Sequence, residues 1–181
     1  GAERVIAIDR LPERLALARE RLGCEVIDYT HCDSVLERLR EMTGGRGPDA
    51  CIDAVGMEAH GTGLQGTYDR IKQALRLQTD RGSALREAIL AVRKGGTLSI
   101  LGVYGLMDKF PLGMLMNKGV TIRTAQQHGQ HYMPRMLEHA EKGDLDPSFL
   151  ITHRMPLSEA ASGYQLFKDK QDGCVRAVFE P

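Results

Sequence analysis

The chain has 181 residues, 42% of them hydrophobic, and its 24 Lys and Arg residues balance its 24 Asp and Glu residues. This length allows one domain with some elaboration and a sizeable core, and the lack of a basic excess argues against a general affinity for nucleic acid. No apolar stretch approaches the roughly 20 residues that span a bilayer, and the first residues do not resemble a signal peptide, so we expect a cytoplasmic protein.

Short apolar segments alternate with helical ones through the first third of the chain. The predicted elements are a buried strand at 5–8 that ends at Asp9, a helix from Pro12 that closes at Gly23, a strand at 25–29, a helix capped by Asp33 or Ser34 that stops at Gly44 and Gly45, and a strand at 50–55 that ends at Gly56. Residues 57–82 interrupt this pattern, because Gly61, Gly63 and Gly66 predict a loop before an amphipathic segment at 68–77.

The alternation of strands and helices resumes after this interruption. The predicted elements are a helix at 83–92, a strand at 97–103, a connection that contains Pro111 and 114–116, a strand at 120–124, a helix at 133–141, an extended segment at 149–155, a helix at 158–167 and a last strand at 175–179. Parallel strands need long crossovers, so this order predicts a doubly wound α/β domain with a parallel, Rossmann-like sheet.

Asp9 is the first candidate for a ligand-binding residue. A strand that ends in an acidic residue and leads into a helix is the second half of a dinucleotide-binding unit, where the carboxylate accepts hydrogen bonds from the adenosine ribose. Such a carboxylate would repel a 2′-phosphate, which favours NAD over NADP, although Arg10 could partly offset this. Many α/β strands end in Asp, so the motif alone is weak. Arg10 and Arg14 either contact the ribose or adenine or are solvated helix charges.

The Gly-rich phosphate turn that should precede Asp9 by about 20 residues is absent, because only eight residues stand before Asp9. We therefore expect the chain to begin in the middle of a βαβ unit, with the sheet incomplete at its N-terminal end. In the strand order 3-2-1-4-5-6, Asp9 would end strand 2 and residues 50–55 would form strand 4. The central strand 1 would then be the one that is absent.

Two further strand ends are candidates for a cofactor site, because ligands of open α/β sheets lie beyond the carboxyl ends of the strands. One runs from Asp53 to Gly56, and the other from Leu101 to Gly105. Glycine lets a ring or a ribose approach the backbone closely. For either site alone, an ordinary glycine turn is the commoner interpretation.

The cysteines and histidines predict no metal site within the chain. Cysteines at 24, 32, 51 and 174 match no zinc-ligand spacing, and Cys51 and Cys174 lie in apolar stretches that predict buried, reduced thiols. His128 and His131 lie three residues apart, but no nearby carboxylate or cysteine completes a ligand set, which favours a cofactor-side or surface role over zinc. For His153 we expect a structural role.

Five segments in fixed order carry a family resemblance. They are GAERVIAIDRLPERLALARE, DACIDAVGMEAHG, LREAILAVRKGGTLSILGVYG, MNKGVTIRTAQQH and DPSFLITHRMPLSEAASGYQLFKDKQDGCVRAVFEP. Together they resemble the zinc-dependent medium-chain alcohol dehydrogenases, and specifically the glutathione-independent formaldehyde dehydrogenase-like branch, over essentially the whole chain. The resemblance implies a dinucleotide-binding domain at 1–145 with an insertion at 57–82. It also implies a C-terminal segment at 146–181 that belongs in part to the catalytic domain.

The same resemblance implies which residues lie beside NAD. Asp9 matches the acidic residue on the ribose and Arg14 the basic position five residues later; Val55 and Gly56 match the adenosine side; Leu101, Gly102 and Val103 match the segment beside the nicotinamide; Gln126 and His128 match polar positions on the cofactor side; and Arg176 matches a basic residue near the pyrophosphate. In this family the catalytic zinc is held by Cys, His and acidic ligands of the N-terminal catalytic domain, and a separate four-Cys lobe holds the structural zinc. The resemblance places none of those ligands in this chain.

The resemblance therefore implies hydride transfer from an alcohol or aldehyde hydrate to NAD, in a homodimer or homotetramer of the full-length enzyme. The isolated chain, without zinc ligands or a phosphate turn, is predicted to be inactive. A different class of protein, a non-catalytic Rossmann-like binding or regulatory domain, stays open as an alternative. A zinc-free relative of the quinone reductases fits less well, because the insertion and the segment DPSFLITHRMPL are typical of the zinc branch.

Overall fold

The computed structural model describes residues 1–56, 82–104, 110–125 and 128–181. Backbone contacts divide the chain into unit 1, residues 1–29 and 129–181, and unit 2, residues 30–128. The predicted loop with Gly61, Gly63 and Gly66 and the predicted segment at 68–77 lie outside the described residues. The predicted domain division after residue 145 stays a prediction.

Helices and strands alternate along the described residues. In chain order they are β1 (Ile6–Asp9), α1 (Pro12–Leu22), β2 (Glu25–Asp28), α2 (Val35–Met42), β3 (Ala50–Asp53), α3 (Ser83–Ala91), β4 (Thr97–Ile100), α4 (Leu112–Lys118), β5 (Thr121–Thr124), α5 (Gly129–Glu141), a 3₁₀ turn (Ser148–Leu150), β6 (His153–Pro156), a second 3₁₀ turn (Leu157–Glu159), α6 (Ala160–Asp169) and β7 (Ala177–Glu180). No helix among these residues has the length and apolar character needed to cross a membrane.

Unit 1 contains two separate pairs of parallel strands, β1 with β2 and β6 with β7. The crossover α1 packs against both β1 and β2, with Leu15 buried. Pro12 occupies the start of α1, where a missing N–H loses no helical hydrogen bond. Gly23 ends α1 in the left-handed region, at a φ of 65°. These local features return the chain to the start of β2, so that β1 and β2 run in the same direction.

In the second pair of unit 1, a glycine sets how closely α6 approaches the strands. A Cβ built on Gly163 would lie 2.5 Å from Cε1 of Phe179 and 3.0 Å from Sδ of Met155. The ring of the next residue, Tyr164, stacks on Phe179 with ring centroids 5.9 Å apart. The absence of a side chain at 163 therefore allows the helix to lie directly on β6 and β7.

Unit 2 is built on one parallel sheet in the order β3-β4-β5. Its core combines side chains from α3, β4 and α4, namely Leu85, Ile89, Leu98, Ile100 and Leu115. The β1-β2 pairing in unit 1 and the β3-β4-β5 order in unit 2 agree with the neighbours expected from the predicted strand order. The prediction of an α/β protein with parallel strands is confirmed.

Helix α3 ends on a lysine from another element of unit 2. Nζ of Lys118 donates hydrogen bonds to the carbonyl oxygens of Ile89 (3.0 Å), Leu90 (2.6 Å) and Val92 (2.8 Å). The last carbonyls of a helix have no partner within the helix, and a cation there also interacts favourably with the helix dipole. Lys118 therefore satisfies the C-terminus of α3 from the end of α4.

The sequence-based prediction was wrong for α4, which we expected to be part of a connection. Its seven residues lie between Pro111 and Gly119, and Gly119 adopts a φ of 60° that terminates the helix. Seven residues are too few for a clear helical period, so packing of Leu115 into the core decides the conformation. Helix α5 also begins earlier than predicted, at Gly129, and it contains Pro134.

Candidate functional site

Asp9 stands at the carboxyl end of β1, where its two carboxylate oxygens have different surroundings. Oδ1 accepts hydrogen bonds from the backbone N–H groups of Arg10 (2.7 Å) and Leu11 (3.1 Å). Oδ2 lies 4.0 Å from Nη1 of Arg14, and one third of the Asp9 side chain is exposed. Oδ1 therefore holds the turn into α1, while Oδ2 keeps its capacity to accept hydrogen bonds from a ligand. A ribose diol presents donors that suit such an oxygen.

Three arginines of unit 1 were predicted to lie beside the cofactor. Arg14 points towards Asp9 from the first turns of α1, and Arg10 is partly exposed in the preceding turn. Arg176 is exposed, and its carbonyl oxygen accepts hydrogen bonds from the backbone N–H groups of Thr152 (3.1 Å) and His153 (3.2 Å). These backbone bonds fix the position of Arg176 in the chain. They leave its guanidinium available for an anion.

In unit 2, the carboxyl ends of β3 and β4 come together, because Asp53 and Ile100 are register partners in adjacent parallel strands. We call residues 54–56 the first loop and residues 101–104 the second loop. A Cβ on Gly56 would lie 2.5 Å from the backbone N of Val103, and one on Gly102 would lie 2.3 Å from the backbone N of Gly56. The two loops are therefore in direct backbone contact.

This contact explains why both positions are glycine, for a reason that the sequence did not indicate. We expected glycine to let a ligand approach the backbone. In the structure, each glycine makes room for the backbone of the other loop, and Gly56 also adopts a φ of 67°. That conformation is strained for residues with a side chain. Both glycines are required by the fold itself, whatever ligand lies beyond them.

Apolar side chains of the two loops are exposed to solvent. The exposed fractions are 46% for Val55, 64% for Leu101 and 68% for Val103. Exposed apolar groups at the carboxyl ends of parallel strands are typical of ligand-binding edges, since ligands of α/β proteins lie there. Flat apolar contact of this kind suits the face of a nucleoside or nicotinamide ring.

Asp53 and Tyr104 are residues of this edge to which the sequence analysis gave no role. Asp53 is only 3% exposed, and its Oδ1 accepts hydrogen bonds from the N–H groups of Val55 (3.0 Å) and Gly56 (3.3 Å). The Tyr104 hydroxyl donates to Oδ2 of Asp53 at 2.5 Å. An aspartate just before a glycine turn could have indicated the first contact. No sequence pattern indicates the second, which joins residues 51 positions apart.

The histidines and cysteines do not form a metal site in the part of the chain that the structure describes. His128 and His131 are exposed, and the His131 ring contacts that of Tyr132 edge-to-face at 4.8 Å. Gln126 lies outside the described residues. Cys174 is buried as predicted, whereas Cys51 is partly buried, and its burial raises the pKa of the thiol to about 11. The described residues therefore do not fit a zinc ion.

His153 has the contacts of a structural residue, as predicted. Its Nε2 lies 3.3 Å from Oδ2 of Asp172, and its Nδ1 lies 2.9 Å from the hydroxyl of Thr152. The same hydroxyl accepts a hydrogen bond from the N–H of Val175 at 3.0 Å. Together these contacts tie the start of β6 to the segment that precedes β7.

The chain is similar to zinc-type alcohol dehydrogenases in both sequence and structure. Residues 1–70 match the family model described as "Zinc-binding dehydrogenase". The chain is 41% identical over 182 aligned residues to an uncharacterised zinc-type alcohol dehydrogenase-like protein, AdhB, of Bacillus subtilis, with all of the chain and 47% of that protein covered. It is 34% identical over 109 residues to a glutathione-independent formaldehyde dehydrogenase of the same organism, covering 60% of the chain and 23% of that enzyme.

Among solved structures, alcohol dehydrogenase TADH from Thermus sp. ATN1 matches the whole chain with a TM-score of 0.79 and 30% identity. The match covers 45% of the Thermus chain. The 181 residues thus span less than half the length of these relatives, and the likeness extends through both units.

Proposed function

Since the chain belongs to the zinc-type alcohol dehydrogenase family, we propose that it is the NAD-binding part of an enzyme that transfers a hydride from an alcohol or aldehyde hydrate to NAD. The observation that carries this proposal is the divided role of the Asp9 carboxylate. Oδ1 holds the turn between β1 and α1, and Oδ2 stays available where a ribose would lie. NAD, when bound, supplies the hydride acceptor.

The proposed contacts pair charged side chains with the polar groups of NAD and apolar side chains with its rings. Asp9 binds the ribose, with Arg10 and Arg14 beside it; Val55 and Gly56 line the adenosine side; Leu101, Gly102 and Val103 lie along the nicotinamide; Gln126 and His128 are polar neighbours of the cofactor; and Arg176 meets the pyrophosphate. The exposed apolar side chains of the two loops and the open guanidinium of Arg176 support these assignments. They provide ring contact and charge of the kinds that the cofactor needs.

The activity belongs to the full-length protein in this proposal. In this proposal zinc is held by residues outside these 181, as the family resemblance implies; among the described residues no set of ligands for it is grouped. The chain alone would bind no zinc and would not turn over. Small alcohols or formaldehyde are the proposed substrates, with the 34% identity to a formaldehyde dehydrogenase as support for the latter. We further propose a cytoplasmic homodimer or homotetramer.

The replacement Asp9→Asn in the full-length enzyme tests the cofactor assignment. Asparagine keeps an acceptor for the two turn amides but removes the charge that faces the ribose and would repel a 2′-phosphate. We expect the Kd for NAD, measured by calorimetry, to rise about tenfold, the loss of roughly one charged hydrogen bond. The preference for NAD over NADP should fall in parallel. Glu25→Gln, at the opposite end of the same strand pair, is the matched control and should change neither quantity.

Two results would count against this proposal. An unchanged ratio of NAD to NADP affinity in Asp9→Asn would remove Asp9 from the ribose site. A full-length protein that binds NAD but oxidises no alcohol or aldehyde, with zinc present, would favour the non-catalytic binding domain instead.

A further inference from the structure

We propose that Asp53 and Tyr104 form a positioning pair that sets the spacing between the first and second loops and thereby sets the affinity for NAD. The inference rests on the proposed function, because it assumes that NAD lies along these loops. Neither side chain needs to touch the cofactor. Both act through the backbone of residues that do.

Asp53 is bonded to both loops at once. Its carboxylate Oδ1 accepts from the N–H groups of Val55 and Gly56 in the first loop. Its backbone carbonyl oxygen accepts from the N–H groups of Leu101 (2.8 Å) and Gly102 (2.9 Å) in the second loop. One residue therefore fixes four backbone amides in the two loops, at the edge where a ligand of an α/β sheet lies.

The remaining carboxylate oxygen, Oδ2, is held by the Tyr104 hydroxyl. The ring of Tyr104 packs against the core cluster of α3, β4 and α4. This packing restricts the partly buried ring and with it the position of the hydroxyl, because packed side chains have little freedom to move. The end of the second loop is in this way tied to the same carboxylate that holds the first loop.

Because Asp53 is buried, its carboxylate depends on each of these hydrogen bonds. Asp53 is 3% exposed, and no Lys, Arg or His pairs with it among the described residues. A buried carboxylate depends on its hydrogen bonds, since each unsatisfied lone pair in a low-dielectric site is costly. Removing the tyrosine hydroxyl leaves Oδ2 without that donor, so the carboxylate is expected to turn towards water and draw the first loop with it.

A small movement of the first loop affects the second loop, because no space separates their backbones. Gly56 and Gly102 already touch backbone to backbone, so a shift of the first loop changes where Val55 and Val103 stand relative to one another. Both of these side chains are exposed and belong to the proposed cofactor surface. After such a shift, NAD could make good contact with Val55 or with Val103 but not with both, and its affinity would fall.

The test is Tyr104→Phe in the full-length enzyme, a change that removes the hydroxyl and keeps the ring packed against the core. We expect the Kd for NAD, measured by calorimetry, and the KM for NAD to rise about tenfold, which corresponds to about 1.4 kcal/mol. The kcat at saturating NAD should stay within about twofold of the wild type, since the loss of uniform cofactor binding raises KM and leaves kcat unchanged. Asp53→Asn, which keeps an acceptor for the loop amides, should raise KM less than Asp53→Ala does.

Thr43→Val is the control for an effect that is merely structural. The Thr43 hydroxyl donates to the carbonyl oxygen of Leu39 (2.6 Å) and accepts from the N–H of Gly47 (3.0 Å), near the amino end of β3 and in the same unit. Its loss should lower thermal stability and leave the KM for NAD unchanged. A double variant of Asp53→Asn and Tyr104→Phe should raise KM by less than the product of the two single effects, because both act on one contact.

The outcomes separate the two proposals. If wild-type enzyme binds NAD and Tyr104→Phe binds it equally well, the positioning role is wrong while the proposed function stands. If Tyr104→Phe and Thr43→Val raise the KM for NAD in proportion to their loss of stability, the effect is structural and the positioning role is again wrong. If the wild-type enzyme does not bind NAD, the proposed function fails and takes this inference with it.

Discussion

Gly102→Ala provides a stringent test of the contact between the two loops. A Cβ at this position would lie 2.3 Å from the backbone N of Gly56 and 2.5 Å from its Cα, whereas ordinary contacts begin at 3.4 Å. The atoms in the way belong to the backbone and cannot rotate aside. The loops must therefore separate by about 1 Å, the difference between 3.4 and 2.3 Å.

That separation acts on stability and on cofactor binding together. Overpacking of this kind costs about 1–3 kcal/mol. It also strains the hydrogen bond from the N–H of Gly102 to the carbonyl oxygen of Asp53. A misplacement of about 1 Å in a positioned site can cost about 100-fold in rate. We therefore expect a lower thermal midpoint and a loss of roughly 10-fold to 100-fold in kcat/KM for NAD.

The assay compares Gly102→Ala with Gly113→Ala in the full-length enzyme, by thermal unfolding and by steady-state kinetics with NAD varied. Gly113 lies in α4 of the same unit, has an ordinary φ and has open space around its Cβ position. Alanine there should leave kcat/KM unchanged and stabilise the helix by up to about 1 kcal/mol. Wild-type stability and kinetics in Gly102→Ala would refute the argument that this backbone contact leaves no room for a side chain.

Two further expectations concern other parts of unit 2. Lys118→Met removes the ammonium that caps α3, so three carbonyl oxygens lose a donor. We expect thermal unfolding to show about 1–3 kcal/mol of destabilisation, with an unchanged KM for NAD. Lys118→Arg should recover part of the lost stability. Burial holds the pKa of Cys51 at about 11, against 9.0 for an exposed thiol, so at pH 9 iodoacetamide should label Cys51 about 50-fold more slowly in the folded than in the urea-unfolded protein. The unfolded chain releases this proton first, so the Cys51 contribution to stability should fall as pH rises from 9 to 11. If Lys118→Met were as stable as the wild type, the argument that Lys118 caps α3 would be wrong. If Cys51 were labelled equally fast in the folded and unfolded protein, the argument from its burial would be wrong.

Much of the fold could be predicted because its signals are local. The turn from β1 into α1 combines an apolar run, Asp9 and Pro12 within eight residues, and each has its effect without reference to the rest of the chain. The resemblance to zinc-type alcohol dehydrogenases is confirmed by the relatives and by the Thermus structure. Boundaries were less accurate: β3 ends at Asp53 and β4 at Ile100, both before the residues at which we expected them to end.

The sequence predicted that the strand ends of β3 and β4 form a cofactor site, and this role stays a prediction; the structure adds the contacts that join the two ends. The carboxyl ends of β3 and β4 were identified because ligands of α/β sheets lie there. Which residues hold those ends together depends on strand register, which places Asp53 beside Ile100. Short α4 was missed for a similar reason, since its conformation follows from the burial of Leu115 and not from a long helical period.

The sequence by itself determined the α/β alternation, the family resemblance and the strand end at Asp9, because periodicity, turn residues and ordered motifs are properties of neighbouring residues. Only the tertiary structure decided that Asp53 meets Tyr104, that Gly56 touches Gly102 and that Lys118 caps a distant helix. These contacts join residues between 26 and 51 positions apart along the chain. Their geometry depends on the sheet as a whole, so no local pattern encodes it.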